Sequence, residues 1–302
     1  MQNPELLTRP SVPAMDALLG FPHPVLDHGF IRLIDYMGDE PAVVQAARVS
    51  YGKGTKQSSE DRGLLRYLMR HRHSTPLEMC EIKLHVKLPV FVARQWIRHR
   101  TANVNEYSAR YSILEREFYV PKLDDIQQQS TTNKQGRAGA LTEKDRLYIQ
   151  SQMQQSAERD FDLYDTLTFN EEDENARDPG FNVARELARI NLPLSTYTEW
   201  YWKVDLHNLL HFLSLRADPH AQMEIRAYAD VMLRMVQLWV PDIYEAFIDY
   251  RMEAHTFSRQ EMAILRRTMA NIAGGLLSST ELTARECAEF NKALGLKGAG
   301  HA

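Results

Sequence analysis

Residues 98–112, RHRTANVNEYSARYS, concentrate side chains that can bind an anion. The basic residues of this segment are Arg98, His99, Arg100 and Arg110. Between them lie single hydroxyl groups, amides and one carboxylate, Glu106. Guanidinium groups match phosphate oxygens through two parallel hydrogen bonds, whereas a carboxylate suits a ribose hydroxyl or an N–H group. The segment therefore predicts a nucleotide site with a phosphate-binding part and a sugar-binding part.

This basic cluster contrasts with the chain as a whole, which carries a formal net charge of −4 over 302 residues. A non-catalytic protein that binds RNA or a nucleotide through the same cluster is one alternative. The negative net charge and the lack of basic–aromatic repeats count against it. Neither GxGxxG nor GxxxxGK followed by Ser or Thr occurs, so the predicted site is neither a dinucleotide-type Rossmann site nor a P-loop. No nucleic-acid polymer is expected as a partner.

The 11 histidines raise a second alternative, a metal hydrolase. His207 and His211 lie four residues apart in HNLLH, the spacing of two zinc ligands in HExxH, but no glutamate lies between them. His220 or His73 could be a third ligand, although no pattern selects either. An isolated histidine pair on a helix is more often structural, so no metal site is predicted.

A polar turn, HRHSTPLE at residues 71–78, follows a predicted helix. Its Thr75-Pro76 pair preorganises a turn, and histidines and small hydroxyls at such a turn suit a phosphate or an aromatic ring. An ordinary helix exit explains the same residues, and by itself the segment favours that interpretation.

Periodicity in the first half of the chain predicts the elements that hold these residues. Strands are predicted at 30–39 and 81–89, and helices at 40–50, 58–73 and 90–100. The last of these helices places Gln95, Arg98 and His99 on one face, because they are separated by three and four positions. It ends in the basic segment, which is expected to continue as a loop. Arginines at a helix C-terminus could also serve only the helix dipole.

The second half predicts more helix than strand. We expect a mobile polar loop at 122–140, helices at 142–168 and 182–193, a strand at 195–204, and two helices that break near Pro219. In the tail, Ser258 and Glu261 have the spacing of a capping box, and a last helix is expected from about residue 279. The tail is interpreted as material for packing or oligomerisation.

Composition is ordinary for a soluble globular protein, with 44% hydrophobic and 25% charged residues. No apolar run reaches the ~18 residues that a membrane span needs, and the first residues lack the features of a signal peptide. Cys80 and Cys287 are the only cysteines and form no CxxC. We therefore expect a cytoplasmic protein that does not associate with membranes.

The basic segment resembles the signature of the flavin-dependent thymidylate synthases, RHRxxSxNExSxRY. Asn103 stands where the signature has its first serine, and asparagine keeps the capacity for hydrogen bonding. The similarity covers roughly residues 28–250 and includes HSTPLE, KLPVFVARQWIRHR, EFYVP, LARINLPLSTYT and LHNLLHFLSLRADPHAQMEIRAYA. It divides the chain into an irregular N-terminal segment (1–28), a catalytic domain (29–252) and a helical C-terminal extension (253–302).

The resemblance implies an α+β subunit of mixed helices with a mainly antiparallel sheet. It implies a homotetramer whose active sites are shared between subunits. It also implies reductive methylation of dUMP to dTMP with FAD, with 5,10-methylenetetrahydrofolate as carbon donor and NADPH as reductant. The family is thought to use no protein nucleophile on the pyrimidine, and neither cysteine lies in a matching motif. A nucleophilic Ser108 is a further alternative, but the motif places no histidine or lysine base beside it.

Carried over residue by residue, the resemblance implies two sets of contacts. The set that meets FAD is Ser50, His73, Thr75, Glu78, Arg98, His99, Arg100, Glu106, Asp205, Leu206, His207 and His211. The set that meets dUMP is Gln95, Trp96, Ile97, Arg98, Glu106, Tyr107, Ser108, Ala109, Arg110, Arg189 and Arg216. Arg216 is the implied catalytic residue, because a guanidinium at the uracil can stabilise the negative charge that develops when N3 loses its proton. Asp205 could instead be only the N-cap of its helix.

Overall fold

The computed structural model describes residues 9–49, 58–131, 136–168, 181–272 and 282–296. The chain divides into two compact units, one that ends at Met252 and one that begins at Glu253. No helix in the described ranges combines the length and the apolar character needed to cross a membrane.

An antiparallel five-stranded sheet organises the first unit, with the strand order β1-β2-β3-β5-β4. Its strands are β1 (Pro22–Val25), β2 (Gly29–Met37), β3 (Glu81–Pro89), β4 (Asn103–Glu106) and β5 (Tyr197–Asp205). Together with the helices below, this confirms the predicted α+β class with an antiparallel sheet.

The two central strands follow the predicted alternation. On β3, Leu84 and Val86 are fully buried, and on β5, Trp200 and Trp202 face the same core. Alternate residues of a strand point to opposite faces, so the charged residues between them lie on the other face of the sheet. The two tryptophans pack edge-on against Trp96. The ring centroids of Trp200 and Trp202 lie 5.7 and 5.2 Å from that of Trp96. This aromatic cluster anchors the helix that precedes the basic segment.

Helices cover the apolar face of the sheet. Those of the first unit are α1 (Pro13–Asp16), α2 (Glu40–Val49), α3 (Ser58–Arg70), α4 (Val90–Trp96), α5 (Glu143–Thr168), α6 (Arg185–Ala188), α7 (Leu206–Arg216), α8 (Met223–Trp239) and α9 (Pro241–Phe247). Short 3-10 segments occur at Leu77–Met79, Leu123–Asp125 and Arg189–Asn191, and a π-helical turn at Ile248–Met252. Helix α8 is the most deeply placed, since nine of its side chains, from Glu224 to Trp239, are buried.

The second unit contains α10 (Arg259–Ile272) and α11 (Ala284–Leu294). The predicted capping box before α10 is confirmed: the Glu261 amide donates to Ser258 Oγ at 3.2 Å, and the Ser258 amide donates to Glu261 Oε2 at 2.7 Å. Thr283 and Glu286 form the same motif at α11.

The structure corrects several predicted elements. The helix expected over 90–100 ends at Trp96, and Asn103–Glu106 form an edge strand where a loop was expected. All four residues of β4 are exposed, so the strand is held through its backbone pairing with β5 and lacks the alternation that identifies a half-buried strand. The helix expected over 182–193 shortens to α6 and one 3-10 turn.

The N-terminal segment is less irregular than predicted within its described part. It contains α1 and β1, and Met15 of α1 is fully buried. The prolines at 22 and 24 obscured β1 in the sequence, but proline is tolerated on an edge strand, where an N–H partner is not needed.

Candidate functional site

Helix α4 and strand β4 position the basic segment. Pro89 ends β3 and is the extended residue before α4, and Trp96 fixes the last turn of α4 in the core. Strand β4 then pairs with β5, with Glu106 opposite Trp200. The chain leaves the sheet at Glu106, so residues 107–111 turn away from the edge as a polar loop. Arg98 therefore precedes the edge strand β4 along the chain, and Arg110 follows it.

The first cleft has a volume of about 650 Å³ and lies beside the end of β4. It is lined by Glu106, Tyr107, Ser108, Ala109, Arg110 and Arg189, together with residues of the segment 192–198. The structure thus brings together Arg189 and the loop after β4, which are far apart in sequence. In the described part of the chain, neither Arg110 nor Arg189 forms an ion pair with an acidic side chain.

The polar groups of this first cleft are held in place. Thr198 donates to Glu106 Oε1 at 2.9 Å, which fixes the carboxylate at the rim. The Arg110 amide donates to Ser108 Oγ at 3.4 Å, and the Arg110 guanidinium lies 5.5 Å from the centre of the Tyr111 ring. Two guanidiniums and a hydroxyl without acidic partners have the hydrogen-bond donors that a phosphate would require. The sequence analysis assigned no role to Thr198, although it is the last residue of LARINLPLSTYT, a segment that carries part of the family resemblance.

The second cleft, of about 260 Å³, is lined by Arg98, His99, Arg100, Asn208, His211 and Arg216, with Trp202 and Val204 as its apolar wall. Arg216 Nε donates to His99 Nε2 at 3.1 Å. Because Nε2 accepts this hydrogen bond, the proton of the neutral imidazole belongs on Nδ1. The interaction orients the Arg216 guanidinium and leaves its terminal nitrogens for a ligand.

Burial controls the charge states in this cleft. Burial, with the neighbouring side chains of Arg216 and His211, lowers the pKa of His99 to about 4. Burial also lowers the pKa of Arg216 from its ordinary value, but an arginine remains charged at any physiological pH. His99 is therefore a neutral acceptor beside a permanent cation at pH 7.

The third cleft, of about 80 Å³, lies between the turn after α3 and helix α7. His73, Ser74 and Arg72 line one side, and His207, His211 and Arg251 line the other. His73 stacks on Tyr67 with ring centroids 5.6 Å apart. His211 lines both this cleft and the second one, so the two clefts adjoin at this residue. Thr75 and Glu78 belong to the same turn as His73 but do not line the cleft.

Some implied contacts lie elsewhere. The side chains of Trp96 and Leu206 are at most 1% exposed and belong to the core, so only their backbones remain for a ligand. Asp205 is the N-cap of α7, since its carboxylate accepts from the Asn208 amide at 2.9 Å. Ile97 is exposed, and Ser50 lies outside the described residues.

Gln95 is engaged within the chain: its Nε2 donates to Oε1 of Gln222. Gln222 in turn donates to Glu224 at 2.9 Å. The sequence pattern did not single out either residue, although both lie in the segment LHNLLHFLSLRADPHAQMEIRAYA that carries part of the family resemblance.

The residues suit an anionic, aromatic cofactor better than a metal ion. The second cleft combines Arg98 and Arg100, neither with an acidic partner in the described ranges, with a tryptophan wall. No group of three or more His, Cys, Asp or Glu side chains that could hold a metal ion occurs among the described residues. Cationic forks beside an apolar wall fit the diphosphate and ring of a flavin.

Comparisons with known proteins also favour a flavin as the cofactor. The family model described as "Thymidylate synthase complementing protein" matches residues 32–242. The flavin-dependent thymidylate synthase of Gluconobacter oxydans is 59% identical over 267 residues, covering 88% of this chain and 86% of the relative. That of Rickettsia conorii is 53% identical over 289 residues, covering 95% of this chain and 98% of the relative.

A solved structure is also similar. The UMP/dUMP methylase PolB from Streptomyces cacaoi, bound with 5-Br dUMP, superposes with a TM-score of 0.66 at 32% identity. The match covers 76% of this chain and 99% of PolB.

Proposed function

The chain belongs to the flavin-dependent thymidylate synthase family, and on that premise we propose that it reductively methylates dUMP to dTMP. The one-carbon donor is 5,10-methylenetetrahydrofolate and the reductant is NADPH. Bound FAD, once reduced, supplies the hydride for this reaction. The chain itself supplies binding, orientation and electrostatic stabilisation.

The first cleft, called the nucleotide cleft from here on, holds the dUMP phosphate in this proposal. Arg110 and Arg189 offer guanidiniums that are not neutralised by an acidic neighbour in the described residues, and Ser108 adds a hydroxyl donor. Among those residues no histidine or lysine is hydrogen-bonded to Ser108, so it lacks the base that a nucleophilic serine needs. Ser108 is therefore a phosphate ligand in this proposal.

The second and third clefts hold the flavin. Arg98 and Arg100 contact its diphosphate, and the histidines at 73, 99, 207 and 211 surround the remainder. Arg98 also reaches dUMP in this proposal, as the family signature implies. Glu106 lies at the rim of the nucleotide cleft, where a carboxylate can accept from a sugar hydroxyl or an N–H group.

One observation carries the chemical step: Arg216 is half-buried and oriented by a neutral His99. A preorganised guanidinium at the uracil stabilises negative charge that develops as N3 loses its proton, and this activates the pyrimidine carbon for methylation. A protonated His99 would repel Arg216 and could not accept its hydrogen bond. Because His99 stays neutral, it continues to accept from Arg216 and to orient the guanidinium.

The active site is shared between subunits of a homotetramer. The nucleotide cleft and the Arg216 cleft have no lining residue in common. This separation supports a site in which a single dUMP meets Arg110 of one subunit and Arg216 of another. Symmetric assembly provides such a composite site in each copy.

Release of tritium from 5-tritiated dUMP tests the proposal. The purified protein should show a flavin absorption spectrum and release tritium only when methylenetetrahydrofolate and NADPH are both present. A protein that binds dUMP but contains no flavin, or that releases no tritium with both co-substrates, would contradict it. A variant with Arg216→Ala is the matched negative control.

A further inference from the structure

The third cleft has a guanidinium on each of its two sides. Arg72 follows α3, and Arg251 lies in the π-helical turn Ile248–Met252. Among the described residues that line this cleft none is acidic, and the polar ones are arginines, histidines and serines. The side chains of Arg72 and Arg251 form no hydrogen bond or ion pair within the part of the chain that the structure describes. Within that part, both guanidiniums keep their donors for a ligand.

The two cations also oppose each other. Burial and the charge of Arg72 lower the pKa of Arg251, although an arginine stays charged at physiological pH. Two like charges that share a cleft without a counterion repel each other, and an anion between them would remove that repulsion. The cleft thus has both the charge and the hydrogen-bond donors of an anion site.

The backbone at Arg72 supports a role for its side chain. Its φ is 60°, in the left-handed region that glycine adopts without strain. The Arg72 amide donates to the Met69 carbonyl at 3.3 Å, and the His73 amide donates to the Leu68 carbonyl at 2.9 Å. This is the Schellman pattern at the end of α3, in which glycine is the usual residue at the position of Arg72. An arginine there strains the backbone, and such strain is concentrated at functional sites.

We propose that Arg72 and Arg251 form a pocket for the terminal anionic group of a co-substrate that meets the flavin. The inference rests on the proposed function, which assigns the flavin diphosphate to Arg98 and Arg100 and the dUMP phosphate to the nucleotide cleft. Two co-substrates of that reaction carry a further anionic group: the 2′-phosphate of NADPH and the glutamate carboxylates of methylenetetrahydrofolate. Guanidiniums bind phosphate and carboxylate oxygens through the same parallel hydrogen bonds.

The size of the cleft fits one end of a ligand. Its volume of about 80 Å³ is well below the roughly 300–1,000 Å³ of a site that encloses a whole cofactor. The cleft adjoins the second one at His211, so a group held by the two arginines belongs to a molecule that lies next to the flavin.

Two variants separate the anion site from folding. Glycine suits the left-handed backbone, so Arg72→Gly should be no less stable to urea than the wild type, although it removes one guanidinium. Arg251→Gln removes the other charge and keeps a polar side chain. Arg234→Gln is the matched control, because Arg234 is exposed on α8 and lines none of the three clefts.

Anaerobic reduction of the bound flavin, followed by its absorbance, distinguishes the two sources of the anion. If the pocket takes the 2′-phosphate, each variant should raise the half-saturating concentration of NADPH by about 10- to 100-fold, the range for a lost charged hydrogen bond, and leave that of NADH unchanged. If it takes the glutamate carboxylates, the KM for methylenetetrahydrofolate should rise by a similar factor, with flavin reduction by NADPH unaffected. Arg234→Gln should change none of these values.

Wild-type values for both co-substrates in both variants would overturn the inference. Equal rises for NADPH, NADH and methylenetetrahydrofolate would also overturn it, because the loss would then not concern one anionic group. Loss of bound flavin from the variants would show that the arginines hold the flavin itself, which contradicts the inference as well. Absence of flavin or of tritium release in the wild type would instead defeat the proposed function.

Discussion

At the scale of single residues, the most informative contact is the one between Arg216 and His99. It joins the end of α7 to the basic segment and leaves a cation aimed into a cleft with an aromatic wall. This geometry requires an unprotonated His99 Nε2, because that nitrogen accepts the hydrogen bond from Arg216 Nε. Burial and the neighbouring Arg216 guanidinium keep His99 neutral.

Replacing Arg216 by alanine should reduce turnover by about 10²–10³-fold, the loss expected for one preorganised donor at a developing charge. Flavin content should stay near normal, because Arg98 and Arg100 remain. Stopped-flow kinetics and the absorption spectrum measure the two quantities. Wild-type turnover in the Arg216→Ala variant would rule out this role.

Arg110 and Arg98 should differ in the ligands they affect. Arg110 lines only the nucleotide cleft, so Arg110→Ala should weaken dUMP binding by about 1.5–3 kcal/mol, with FAD still bound. Arg98 lines the second cleft, just beyond the helix that carries Gln95, and the family resemblance implies that it meets both ligands, so Arg98→Ala should weaken the binding of both. Separate titrations of FAD and dUMP into each variant provide the measurement. An equal loss of flavin in the two variants would contradict the division of roles.

The depressed pKa of His99 predicts a pH dependence of stability. The unfolded chain binds a proton at His99 below about pH 6.5, whereas the folded chain does so only below about pH 4. The folded state therefore loses stability as the pH falls from about 6.5 to about 4. His99→Gln keeps an acceptor for Arg216 but cannot titrate, so its stability should fall less over this window. Urea unfolding of the wild type and of His99→Gln at several pH values from 7 to 4 measures the free energy of unfolding of each. If this free energy falls equally steeply with pH in both proteins, His99 is not the source of the pH dependence.

At the scale of elements, the segment predicted to be a mobile loop, 122–140, makes specific contacts in its described part. Arg137 Nη1 donates to the Asp125 carbonyl at 3.1 Å, and its Nη2 reaches the buried Glu224. An isolated bridge pairs Gln129 with Arg137. The segment therefore supplies the counterion that lets a carboxylate exist in the interior near α4.

Removing this counterion should cost stability. Arg137→Ala leaves Glu224 buried and charged, and the loss should be about 3 kcal/mol, at the low end for a broken buried pair because Arg137 is 34% exposed. Arg146→Ala is the matched control. It breaks an ion pair with Asp124, whose side chain is 98% exposed, so it should cost below about 1 kcal/mol. Denaturant unfolding at pH 7 measures both, and equal losses would show that burial of Glu224 is not the cause.

At the scale of the whole molecule, the separation of the clefts bears on assembly. If each site takes Arg110 from one subunit and Arg216 from another, a tetramer mixed from Arg110→Ala and Arg216→Ala chains contains some sites with both arginines intact. Random mixing in equal amounts should restore about one quarter of wild-type activity, although each variant alone is impaired. Co-refolding of the two variants followed by the tritium-release assay tests this. Activity equal to the mean of the separate variants would show that each site is built within one chain.

The sequence by itself determined the elements whose signals are local. The alternation on β3 and β5, the capping box at Ser258, and the family signature all depend on residues close together in the chain, where period and spacing report backbone geometry directly. The sequence also indicated the chemical class of the site, because guanidiniums and hydroxyls keep their binding preferences in any fold.

The tertiary structure decided what depends on contacts between distant segments. It placed Trp96 in the core, paired the exposed strand β4 with β5, and divided the implied contacts among clefts. It also joined Gln95 to Gln222 across 127 positions and gave Arg137 a buried partner. Such pairings follow from the order of the strands and the packing of helices upon them, and no local period encodes them. For the same reason, which amide or guanidinium faces a ligand is a property of the folded chain.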